Sequence, residues 1–97
     1  MEIEKLRKEA ARWMMLRIID AGRPIGVNEA IIARVLADLQ LPFTRDQLRR
    51  ELAYLRDLGL IEIGGDSDWF AKTTGRGVDV VEYVEAAPPG VARPEKC

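Results

Sequence analysis

The run Gln40-Leu41-Pro42-Phe43-Thr44-Arg45-Asp46-Gln47 constrains this chain more tightly than any other segment. Thr44 is a favoured N-cap residue and Gln47 stands three positions on, so each side chain can satisfy the other's backbone N–H in a capping box. Phe43 is placed to staple onto Leu48 across the same turn. A helix therefore begins at Arg45 after a short linker. Along it Leu48, Leu52, Leu55 and Leu58 fall on one side at about 100° per residue, and Gly59 offers a left-handed C-cap. The opposite side carries Asp46, Arg49, Arg50, Ala53 and Asp57.

Two helices precede it. From Glu2 to Ala21 nothing interrupts a helix, and Ile3, Leu6, Ala10, Trp13 and Met14 recur as one stripe until Gly22 and Pro24 stop it. Trp13 to Ile19 is apolar nearly all round, which predicts a central place in the core, with Arg17 snorkelling or meeting Asp20 or Glu82. Ile3, Leu6 and Ala10 lie on the more polar first half, where they serve either edge packing or a dimer contact. The second helix starts at the Asn28 N-cap and runs to about Leu39, with Ile31, Ile32, Val35, Leu36 and Leu39 as its buried face.

After Gly59, Leu60-Ile61-Glu62-Ile63 and Trp69-Phe70-Ala71-Lys72-Thr73 flank the turn chemistry of Gly64-Gly65-Asp66-Ser67-Asp68 and predict a β-hairpin. Asp66-Ser67-Asp68 lacks the downstream glutamate of a calcium loop, so it reads as a solvated turn. Thr74 caps a last helix through Val84, with Val78, Val81 and Val84 inward. Residues 85–97 are rich in proline and small residues and are expected to form a flexible tail outside a domain spanning residues 1–84.

Composition narrows the chemistry. Apolar residues are 47% and charged residues 32% of 97, enough to close one core without staples. Histidine is absent and Cys97 is the lone cysteine, so a zinc site, an internal disulfide and histidine-based catalysis lack their parts. The expectation is a protein that is not an enzyme and uses no cofactor or metal. No apolar run reaches membrane-spanning length and no leader pattern opens the chain, which makes a cytoplasmic location the default. Net charge is −1, yet residues 1–50 carry ten Lys/Arg against seven Asp/Glu. Any anionic partner would meet that half.

The elements predict a mainly α fold with a small β-hairpin: a winged helix-turn-helix of three helices, a two-stranded wing and a short C-terminal helix. A plain three-helix bundle carrying a hairpin is the runner-up. The run Leu52-Ala53-Tyr54-Leu55-Arg56-Asp57-Leu58-Gly59-Leu60-Ile61 resembles the end of the recognition helix and first wing strand of MarR, PadR and ArsR-type winged-helix regulators. Lys72-Thr73-Thr74-Gly75-Arg76-Gly77-Val78 is similar to their second wing strand and final helix start. More narrowly, Gly22-Arg23-Pro24-Ile25-Gly26-Val27-Asn28-Glu29, the later Leu48-Arg49-Arg50-Glu51-Leu52-Ala53-Tyr54-Leu55 and the Gly90-Val91-Ala92-Arg93-Pro94 tail resemble small winged-helix proteins of Mu-like prophages.

The resemblance implies a regulator that binds double-stranded DNA, with helix three in the major groove and residues 64–68 at the backbone or minor groove. Arg45, Gln47, Arg49 and Arg50 are then the groove residues, and Lys72 and Arg76 the phosphate contacts. A homodimer would place two such units on adjacent half-sites. Two features depart from the pattern: helix three sums to only +1, and the wing tip is acidic at Asp66 and Asp68. They favour the alternative, a winged-helix protein-interaction or assembly module without DNA binding. Exposure of Trp69 at the hairpin would support that alternative.

Overall fold

Four helices and three short strands follow this punctuation in the computed structural model, which describes residues 2–95; Cys97 of the expected tail therefore lies outside the described residues. Helix α1 (Ile3–Ala21) is the spine. Ala11, Met15, Leu16 and Ile19 are fully enclosed and Trp13 nearly so, because α1 touches every other helix and the sheet. Trp13 also meets the Tyr83 ring edge-on, centroids 6.3 Å apart. Arg17 is exposed, and the carboxylates proposed for it go to Arg23, which lies 2.8 Å from Asp20 and 3.3 Å from Glu82.

Helix α2 (Glu29–Asp38) is capped as expected, the Asn28 side chain accepting from the Ile31 N–H at 3.0 Å. Its buried face is narrower than predicted. Ile32 and Leu36 are enclosed, but Ile31, about 100° round the helix from Ile32, and Leu39, the C-cap beyond the end of α2, are exposed. Helix α3 (Arg45–Asp57) carries the full capping box: the Gln47 N–H donates to Thr44 Oγ1 at 3.2 Å, and the Thr44 N–H to Gln47 Oε1 at 3.0 Å. Leu48, Leu52 and Leu55 are buried, and Gly59 takes φ +80° to end the helix.

Strands β2 (Ile61–Gly64) and β3 (Phe70–Thr73) form the predicted hairpin, in the register Ile61 to Thr73 and Ile63 to Ala71. At its turn Gly65 adopts φ +92°, where a Cβ would strike the Asp68 carbonyl. The expected two-stranded sheet is corrected to three antiparallel strands in the order β1-β3-β2, since β1 (Val27–Asn28) pairs Val27 with Ala71 and Asn28 with Phe70. Two residues are too short for any periodicity to reveal, and Asn28 serves as strand and helix cap at once.

Helix α4 (Gly75–Val81) starts at the Thr74 cap but ends before Val84, which is exposed. The fully inward residues are Gly77 and Val80; Val81 is half-buried against the core as expected, Val78 is half-buried and Val84 is exposed, the phase being set where Gly77 lies against the Leu60 backbone and a side chain would collide. The flexible-tail expectation is likewise corrected for the described residues. Val91 is buried, the Ala92 N–H donates to the Glu9 carbonyl at 3.1 Å, and Arg93 donates to the Val80 and Glu85 carbonyls while stacking over Tyr83 at 4.2 Å. A proline-rich composition fits an extended strap as readily as a loose end. No helix among the described residues is long and apolar enough to cross a membrane.

Candidate nucleic-acid interface

The surface around α3 divides into two flanks. On the hairpin side the organising group is Glu29, at the first position of α2 and 5% exposed. A carboxylate there sits in the positive end of the helix dipole. Arg49, one and a half turns into α3, forks onto it, Nε at 2.8 Å and Nη2 at 2.6 Å, and the Trp69 backbone N–H donates to it at 2.7 Å. Arg45 adds a longer contact at 3.5 Å. The fork from Arg49, reinforced by the Trp69 N–H and the charges of Arg49 and Arg45, outweighs the burial and lowers the Glu29 pKa from 4.5 to about 2. The same contact raises the pKa of Arg49.

These arginines also reach the hairpin turn. Arg49 Nη2 donates to the Ser67 carbonyl at 2.6 Å, Arg45 donates to that same carbonyl, and Arg45 lies 3.5 Å from Asp68. The Arg49 guanidinium stacks over the Trp69 ring, 4.8 Å from its centroid. Trp69 is thus half-buried under an arginine, not presented as an open aromatic surface. The acidic tip, which looked like a source of repulsion, has one of its carboxylates beside Arg45.

On the flank facing α1, Arg12 meets Glu51 at 2.6 Å, lies 3.9 Å over the Tyr54 ring and donates to the Gly90 carbonyl at 2.9 Å. The strap, α1 and α3 join there. Toward the N-terminal half of α1 the seam opens into a cleft of about 280 Å³, reached by Arg7 and Lys8 of α1 and by Gln47 and Arg50 of α3. Arg50 is exposed and makes no ion pair among the described residues.

The six predicted contact residues therefore fall into three groups. Arg45 and Arg49 converge on Glu29 and Ser67; Gln47 and Arg50 face the α1 cleft. Lys72 stands exposed on β3 opposite Glu62, while Arg76 donates to the Leu58 carbonyl at the end of α3 and pairs with Glu85 at 2.5 Å. Gln47 spends its Oε1 on the cap, so in this conformation it lacks the free acceptor needed for a two-point contact with adenine. Ile3, Leu6 and Ala10 remain exposed. Glu29, Glu51 and Arg12 were not singled out by spacing, because each reads locally as an ordinary helix-surface charge. Comparison with known proteins finds no matching family model, no matching curated protein and no matching solved structure.

Proposed function

We propose that the chain is a winged helix-turn-helix protein that binds double-stranded DNA and acts as a cytoplasmic, non-enzymatic regulator of the prophage type, with α3 as recognition helix and the β2–β3 hairpin as wing. The observation that carries this reading is the shared Ser67 carbonyl: Arg45 and Arg49 both donate to it, which fastens the wing to the N-terminal half of α3 as one preformed surface. Binding to such a surface loses little to ordering. In this arrangement Arg50 is the base-reading residue, its guanidinium being uncommitted, and Arg45 is a phosphate contact, since it is itself exposed and its bridge to the exposed Asp68 contributes at most about 1 kcal/mol. Arg49 is a positioning residue. Lys72 adds a peripheral phosphate contact, and Ile3, Leu6 and Ala10 supply the contact of a homodimer.

Selection of bound fragments from a genomic library, followed by titration at two salt concentrations, tests the reading. Enrichment of one palindromic sequence, with background binding that falls steeply as salt rises, is the expected result. Arg50→Ala should relax the preference at one base position, a loss of about 1–3 kcal/mol of discrimination. Absence of retention at low salt refutes DNA binding. A second reading, an assembly module that docks protein, is favoured by the exposed Asp66 and Asp68 together with the exposed Ile3, Leu6 and Ile31.

A further inference from the structure

Apart from Lys72 on β3, the cations without an ion pair among the described residues lie away from the wing. Arg7 and Lys8 on α1 and Arg50 on α3 line one cleft, and none of the three makes an ion pair or hydrogen bond among the described residues. Two carboxylates share the cleft. Glu51 is already neutralised by Arg12 at 2.6 Å, and Glu4, one turn before Arg7 and Lys8, is exposed and pairs with neither. The local balance is thus three free cations against one free carboxylate in a chain whose net charge is −1. The hairpin tip presents the opposite sign through Asp66 and Asp68.

We infer that this cleft is a backbone-phosphate clamp: Arg7 and Lys8 of α1 hold phosphates of the duplex beside the base that Arg50 of α3 reads. The inference rests on the DNA-binding reading and adds to it that α1, not the wing, supplies the main electrostatic contact. Phosphate contacts from α1, next to a base contact from α3, fix the register of the helix on the duplex without themselves reading sequence. Half-buried Phe43 in the cleft wall keeps that side of the contact apolar.

The test uses the full chain and a fluorescein-labelled 30-base-pair duplex taken from the selected fragments, with anisotropy titrations over a series of sodium chloride concentrations. Arg7→Ala/Lys8→Ala should reduce the slope of log affinity against log salt by about two and weaken binding several-fold at fixed salt. Arg7→Lys/Lys8→Arg should restore the slope. Arg34→Ala, a charge removed from exposed α2, measures the effect of net charge alone. A duplex-binding protein whose double variant matches Arg34→Ala overturns the clamp and leaves the DNA reading standing. A wild-type chain that binds no duplex overturns both. The substitutions sit on exposed helix and should leave the melting temperature unchanged, so lost binding is not lost folding.

Discussion

Glu29 and Arg49 form a two-point ion pair, 2.8 and 2.6 Å, that joins the first residue of α2 to the middle of the α3 surface and lies beneath the hairpin turn. Arg49 is one of the four residues the sequence offers for the groove, yet its guanidinium is occupied on three sides: by Glu29, by the Ser67 carbonyl and by the Trp69 ring. An arginine held this way positions its neighbours.

Stability should depend on acid through Glu29. Its folded pKa of about 2 lies below the ordinary 4.5, so the native state binds fewer protons than the unfolded chain and stability rises with pH across that interval. The contribution, at most about 3 kcal/mol, is complete above about pH 5 and is lost as pH falls toward 2. Glu29→Gln keeps the shape but removes the charge. At neutral pH it should lower stability by about 2 kcal/mol, or roughly 10 °C in melting temperature, and flatten the acid side of the curve. Thermal melts by circular dichroism from pH 2 to 7 measure both. A variant as acid-sensitive as the parent would assign that sensitivity to other carboxylates.

Two glycines of α4 should respond in opposite directions to the same substitution. Gly77→Ala drives a methyl into the Leu60 carbonyl and should cost about 1–3 kcal/mol, whereas Gly75→Ala faces open space and should gain about 0.5 kcal/mol. Denaturant titration of the two variants decides it. Equal effects would mean that α4 does not sit against Leu60.

The strap formed by residues 86–95 should be held by Val91. Val91→Ala removes buried methyl groups and should lower global stability by about 1 kcal/mol or less, while Val91→Asp should free the strap altogether. Limited proteolysis with an enzyme that cuts after glutamate reads the difference as faster cleavage at Glu85. Unchanged cleavage in Val91→Asp would show that Arg12 and Arg93 suffice to hold the segment.

Local signals in the sequence were dependable where one residue's chemistry settles the backbone. The capping box at Thr44 and Gln47, the Asn28 cap and the left-handed Gly59 all depend on groups within four residues, and all are present in the structure. The misses share the opposite property. Strand β1 exists because Ala71 and Phe70 lie beside it, the phase of α4 is set by Leu60, and the strap is fixed by Glu9, Arg12 and Tyr83. Such partners stand ten or more residues away, and composition alone made a docked strap look like a loose tail. At the candidate interface the spacing identified which arginines share the α3 surface. It was silent on the buried acid of another helix that would claim two of them.

Strand β1 passes into α2 without a linker: Asn28 pairs with Phe70 and caps the helix, and the next residue, Glu29, donates its N–H to the Trp69 carbonyl at 2.9 Å while its side chain accepts from the Trp69 N–H. The hairpin is therefore rooted in the same residue that anchors Arg49. A force that tilts the turn must also drag the start of α2, so the hairpin resists bending like a lever set in the core rather than yielding like a flap. Any partner that docks on the hairpin would have to fit its resting angle or strain α2, several bonds from anything it touches.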